Sequence, residues 1–388
     1  MARSASLSPL ALAKTTLLVF GAFALVGCGS DDAESASGRD FSAFDSAVQS
    51  FLEENNLSGA SVVVVSRDEG VVHVKGLGEF DEDRISLIAS SSKVMSAGVL
   101  VHLADQGVLD LDKPVSDYLG DWGEYKTDRT VAQMLSNSAG MVGLIDDPLY
   151  APYLCQYLDG GTLSDCAKKI YTADDTADLI PPDTEFHYGG GQWQLAGGVA
   201  EVVSGKTWDA LIDEIYVKPC GLQSTGYNNH YSKGFASGGV DGALTYPDFF
   251  QGNLDNLGET QNPSIEGGAY TTARDYGKIL WMHLSGGRCG DTQVLSEAGV
   301  ARMQHDRIGE VYGGSSLDPT LPGYGFGWWV SRQDSVVADP GAYGATPWLD
   351  NDRGYAAMVI LEAKAELGVN LRIQTKPILD ELFPLPQD

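Results

Sequence analysis

Ile88-Ala89-Ser90-Ser91-Ser92-Lys93-Val94-Met95 holds the only Ser-x-x-Lys in this chain of 388 residues. Val94, Ala97, Gly98, Val101 and Ala104 follow at helical spacing and the pattern stops at Gly107, so the motif opens a helix. Residues three apart share a helix face, which sets the Lys93 ammonium beside the Ser90 hydroxyl. A serine alone is a weak nucleophile, and an adjacent amine able to accept its proton is what it lacks. The N–H groups of a first helical turn also favour an oxyanion forming at Ser90. A capping serine followed by a solvated lysine would read the same over eight residues, so the surrounding chain decides.

Upstream, Arg3 and Lys14 precede an apolar run from Thr15 to Val26, followed by Leu25-Val26-Gly27-Cys28. The run is too short to span a bilayer and suits a signal-peptide core over residues 1–27. The ending resembles a bacterial lipobox, which implies that Cys28 carries lipid. Residues 28–40 are small and polar, a flexible tether. The absence of Asp after Cys28 leans towards an outer-membrane location facing periplasm or surface.

Residues 41–388 read as one two-lobed unit. The net charge is −28, and its acids are dispersed without a long block, which reads as a solvated surface and disfavours nucleic acid as a partner. Besides Cys28, the chain has Cys155, Cys166, Cys220 and Cys289, an even number for an oxidising compartment. Three pairings are possible, and Cys155–Cys166 with Cys220–Cys289 is the expected one. No Cys-x-x-Cys or His-Glu-x-x-His occurs, so no metal site is expected.

Phe41, Phe44, Val48, Phe51 and Leu52 mark an amphipathic helix, and Ala60 to Val65 a buried strand. Arg67-Asp68-Glu69-Gly70 turns it into a second strand, Val71 to Lys75. Residues from about 115 to 320 are mainly helical with long loops. Strands return at Tyr324 to Val330, Ala342 to Leu349 and Tyr355 to Leu361, before a last helix from about Leu367 to Leu382. The expected class is α+β: one antiparallel sheet built from both chain ends, flanked by helices, with an inserted helical lobe.

Several segments in order resemble the serine β-lactamase and penicillin-binding-protein-like hydrolases, nearest the class C β-lactamase and family VIII esterase branch. Ala89-Ser90-Ser91-Ser92-Lys93 fits the nucleophile motif. Asp110-Leu111-Asp112-Lys113-Pro114-Val115 with Tyr118-Leu119, and Thr130-Val131 with Leu135-Ser136-Asn137-Ser138-Ala139-Gly140-Met141, follow as in that family. Glu185-Phe186-His187-Tyr188, Gly267 to Asp275, and Tyr324-Gly325-Phe326-Gly327-Trp328-Trp329 are the later landmarks. The resemblance implies a β-lactamase/transpeptidase-like fold without a cofactor. It further implies Ser90 as nucleophile, Lys93 as base, Tyr188 as second proton shuttle, and backbone N–H groups of Ser90 and Ala342 as oxyanion hole. Asn137, Gly190, Asp339 and Gly341 would line the substrate.

Two departures stand out. The family's Tyr-x-Asn reads Tyr188-Gly189-Gly190, so the amide that contacts the acyl group is missing. The Lys-Thr-Gly position reads Asp339-Pro340-Gly341. Period two places the nitrogens of Pro340 and Ala342 on one strand edge, facing the cleft. An aspartate at roughly 5 Å would repel a substrate carboxylate by about 3 kcal/mol at an effective dielectric of 20. Alternatively, Asp339 pairs with Lys93 or an arginine and sets a pKa. The expectation is a monomeric, lipid-anchored serine hydrolase of esters or amides with weak or absent β-lactamase activity. The alternatives are a D-amino-acid peptidase or amidase acting on peptides or peptidoglycan fragments, and a non-catalytic binding protein.

Overall fold

The structure, a computed structural model, describes residues 38–144, 146–311 and 322–386. The first 37 residues, and with them the expected signal sequence, Cys28 and most of the tether, lie outside the described residues. A seven-stranded antiparallel sheet forms the centre. Its strands are β1 (Gly59–Ser66) and β2 (Gly70–Gly78) from the N-terminal piece. The C-terminal piece supplies β8 (Gly323–Tyr324), β9 (Trp329–Val330), β10 (Val336–Ala338), β11 (Thr346–Asp350) and β12 (Tyr355–Ile360). The order is β2-β1-β12-β11-β10-β9-β8, so the two ends of the chain meet where β1 pairs with β12, Val63 opposite Met358.

Strand β1 is buried along its whole length, as an unbroken run of valines requires. Side chains alternate across a strand, and the core divides accordingly. Val62 and Val64 pack with Phe44, Phe51, Leu371 and Leu379 of helices α1 (Ser42–Asn55) and α6 (Ala365–Leu382). Val63 and Val65 face the opposite core with Tyr276 and Ile279 of α5 (Ala273–Leu284). Helix α2 (Lys93–Asp105) runs through that second core and is apolar on nearly every side, the pattern of a fully enclosed helix. The inserted lobe adds α3 (Gly190–Ser204), α4 (Tyr231–Leu244) and shorter helices.

Three details depart from the sequence reading. The stretch from Tyr324 to Val330 is two short strands, because Gly327 takes a left-handed conformation (φ 77°) and reverses the chain. The stretch from Ala342 to Leu349 becomes a strand only at Thr346, after a turn in which the Gly344 N–H bonds to the Gly341 carbonyl (3.1 Å). The insert also contains β4 (Gly226–Tyr227) and β5 (Ala269–Thr271), which with β3 (Ser86–Leu87) make a three-stranded sheet, and a small β6–β7 hairpin (Arg288–Cys289, Thr292–Gln293). Strands of two or three residues leave no periodicity to read. Disulfides join Cys155 to Cys166 and Cys220 to Cys289.

Candidate active site

Ser90 lies not in α2 but in the 3-10 turn that leads into it, Ala89–Ser92. Ala89, the residue before it, is left-handed (φ 46°), a conformation that costs a non-glycine residue roughly 1–2 kcal/mol. The strain is held by the two neighbouring serines. Ser91 Oγ donates to the Asp339 carbonyl (2.7 Å) across the cleft. Ser92 Oγ donates to the Ala89 carbonyl (2.6 Å) and accepts from the Ala269 N–H (2.9 Å) on β5. Ser90 is left as the serine whose hydroxyl faces Lys93.

Lys93 has no exposed surface. Its Nζ donates to Ser90 Oγ (3.3 Å) and to the Glu266 carbonyl (3.0 Å), and forms an ion pair with Glu266 Oε2 at 3.2 Å. The ammonium also sits 4.6 Å from the centre of the Tyr188 ring. Burial disfavours the Lys93 cation, but Tyr188 and Glu266 outweigh it and hold the amine protonated, above the ordinary lysine range. Tyr188 precedes α3, its ring stacked on Trp329 at 5.9 Å. Burial raises the Tyr188 pKa, while the Lys93 charge and polar contact with Ser90 work in the opposite direction.

Across the cleft, the Asp339 and Gly341 N–H groups bond to the Pro347 (3.2 Å) and Ala345 (2.7 Å) carbonyls of the adjoining segment. The alternate nitrogens, of Pro340 and Ala342, point away from that pairing, and the Ala342 N–H donates to no group among the described residues. Gly341 crosses tightly over the turn before Ser90: a Cβ there would lie 2.1 Å from the Ile88 carbonyl oxygen. Ser90, Ala342 and Glu266 form the polar end of a narrow pocket whose walls are Leu144, Tyr157, Tyr231, Phe235 and Leu244. About 30 Å³ remains open, the room of a single water. Two wider depressions, about 660 and 650 Å³, lie elsewhere and touch neither Ser90 nor Lys93.

Two expected substrate contacts are not made. Asp339 is fully buried, and neither carboxylate oxygen has a hydrogen-bond partner. It presents no surface to a substrate, and among the described residues it makes no direct ion pair, although its charge and that of Lys93 still act on one another, as one of the two sequence readings expected. Burial raises its pKa well above 3.8, against the opposing pull of the Lys93 charge and the Val94 N–H, and Glu266 is the acid in direct contact with Lys93. Asn137 is also sealed from solvent, its Oδ1 accepting from Gln192 Nε2 (3.1 Å) and Trp193 Nε1 (3.0 Å). It anchors α3 from its left-handed turn (φ 54°). Gly190 lies at the pocket, but the space above it is taken. A Cβ there would lie 2.1 Å from both Gln156 Oε1 and Glu266 Oε1.

Glu266 is the residue that sequence reading missed. A lone acid before Gly267-Gly268 carries no spacing signal. The available clue was the missing side chain at Gly190, which left a space beside Lys93 to be filled. Among the described residues, no group of three or more His, Cys, Asp or Glu side chains is placed to hold a metal ion.

The Beta-lactamase family model matches residues 44–371 of this chain. Penicillin-binding protein 4 of Amycolatopsis lactamdurans is 27% identical over 313 residues, covering 73% of this chain and 74% of that protein. The protein flp of Staphylococcus aureus is 21% identical over 360 residues, covering 87% of this chain but only 64% of its own length. The crystallised EstCE1, titled a hydrolase with promiscuous acyltransferase activity, superimposes with a TM-score of 0.67 at 19% identity, over 86% of this chain and 96% of that one.

Proposed function

We propose that this chain, which belongs to the Beta-lactamase family of serine hydrolases, cleaves carboxylic esters, or amides of similar shape, through an acyl-enzyme on Ser90. The observation that carries the reading is the 3.3 Å contact between Ser90 Oγ and Lys93 Nζ at the mouth of a pocket that also presents the uncommitted Ala342 N–H. Ser90 Oγ attacks the carbonyl carbon as its proton passes to the Tyr188 hydroxyl oxygen, which gives up its own proton in the same step, while Lys93 stays an ammonium beside both. The oxyanion is held by the Ser90 and Ala342 N–H groups, preformed donors of the kind that contribute most to acyl transfer. Tyr188, buried beside a cation, delivers a proton to the leaving group. The apolar walls favour a short hydrocarbon acyl group.

Penicillins fit this pocket poorly. They carry a carboxylate, and no lysine or arginine lines the pocket at Ser90. The weakness thus comes from a missing cation and not from repulsion by Asp339, which is buried and does not line the pocket.

Labelling with a fluorophosphonate probe tests the nucleophile: wild type should label, and Ser90→Ala should not. An unlabelled wild type would favour a binding protein without chemistry. Nitrophenyl acetate or butyrate should be turned over faster than a chromogenic cephalosporin, and the opposite order would overturn the ester reading. We also propose that Cys28 anchors the protein to the cell envelope. Labelled palmitate should enter the wild-type protein and not Cys28→Ser.

A further inference from the structure

We propose that Glu266 is a catalytic residue of this site: its carboxylate is the base that activates the water which releases the acyl group from Ser90. The inference rests on the acyl-enzyme reading above and adds the second half of the cycle.

The geometry is that of a relay. Glu266 Oε2 lies 3.2 Å from Lys93 Nζ, which lies 3.3 Å from Ser90 Oγ. The carboxylate shares a pocket wall with Ser90 and Ala342, the two sides of any acyl group held there. Only its side facing Lys93 is engaged, since among the described residues no hydrogen bond reaches either oxygen, and the side chain retains 10% exposure. Glycine at 190 is what admits the carboxylate, because any side chain there would collide with Glu266 Oε1. Gln156, also nearly buried, brings its Oε1 to the same spot beside Gly190.

The proton balance closes. Water gives a proton to the Glu266 carboxylate as its oxygen bonds to the acyl carbon. The bond from that carbon to Ser90 Oγ breaks, and Ser90 takes a proton from the Lys93 ammonium. Glu266 then returns its proton to Lys93, and the carboxylic acid leaves. A lysine held protonated in the resting site is suited to this donor role. Recognition of a substrate ammonium is the weaker alternative for Glu266, because Lys93 already neutralises the carboxylate and would repel a second cation.

Stopped-flow hydrolysis of nitrophenyl butyrate, with intact-protein mass spectrometry, tests the proposal. Glu266→Gln should release a first equivalent of nitrophenol and then turn over at least ~100-fold more slowly than wild type, as loss of a general base does. A butyryl adduct should accumulate on Ser90, and hydroxylamine, a nucleophile that needs no base, should discharge it. Turnover at the wild-type rate, or equal slowing of both phases with no adduct, would overturn the role. The wild-type protein gives an independent reading: its deacylation should slow about two-fold in deuterium oxide, as proton transfer in the rate-limiting step requires. No isotope effect would count against Glu266 even if the variant does not fold. If wild type forms no adduct and binds no fluorophosphonate, the acyl-enzyme reading itself has failed, a distinct result.

Discussion

Gly341 passes so close to Ile88 that a single added carbon would lie 2.1 Å from the Ile88 carbonyl oxygen. This crossing presses the segment bearing the Ala342 N–H against the turn bearing Ser90, and Ser91 Oγ fastens it through the Asp339 (2.7 Å) and Ala345 (3.1 Å) carbonyls. Gly341→Ala must push the two apart. Losing one oxyanion donor typically lowers kcat by about 100-fold or more. The expected outcome is a fall of that order in ester turnover with KM little changed. A variant that folds and keeps its kcat would remove Ala342 from the oxyanion hole.

Lys93 and Glu266 form an ion pair with almost no exposure on the lysine side. Removing one member of a buried pair leaves the other uncompensated, at a cost of about 3 kcal/mol or more. Lys93→Ala should therefore lose both activity and stability. Adding Glu266→Gln to it should recover much of the stability in urea titration and none of the activity. If the double variant is no more stable than Lys93→Ala, the pair is not electrostatically coupled.

Asp339 makes stability depend on pH. Its folded pKa stands above its unfolded value of 3.8, so the folded protein holds this proton longer than the unfolded chain does. The contribution is complete below the unfolded value and is lost as pH rises towards the folded one. Asp339→Asn, which cannot ionise, should gain on wild type as pH rises above about 3.8 when both are unfolded in urea. A difference that does not change with pH would mean the acid is already ionised when folded.

The two disulfides close loops of unequal length, with a sequence separation of 11 for Cys155 and Cys166 and of 69 for Cys220 and Cys289. Loop-closure entropy assigns about 3 kcal/mol to the first and about 4 kcal/mol to the second. Replacing each pair by serines should lower the melting temperature more for Cys220/Cys289. The reverse order would show that local packing outweighs chain entropy here.

The parts of the molecule legible in the sequence are those with long or repeated signals. The valine run of β1, the helical period after Lys93 and the i, i+3 offset of Ser90 and Lys93 each follow from local rules, and the structure places them together. Reading Asp339 as a wall of the cleft went wrong because its identity was judged against a lysine at the same motif position, while its burial depends on Tyr276 and α2 packing around it, contacts no local pattern encodes. Glu266 escaped for the same reason. It meets Lys93 across 173 positions of chain, and the only local trace of that meeting was a missing side chain at Gly190.

The distance along the chain between Ser91 and its partner Asp339, 248 positions, has a consequence for synthesis. Ser90 and Lys93 emerge early, but the turn that carries Ala342, proposed as the second oxyanion donor, and the β12 strand of the central sheet emerge near the end. Non-local closure of this kind is slow, because the loop entropy is lost before the contacts form. A growing chain therefore carries its nucleophile in an inert form, and reactivity begins only when both halves of the sheet have joined.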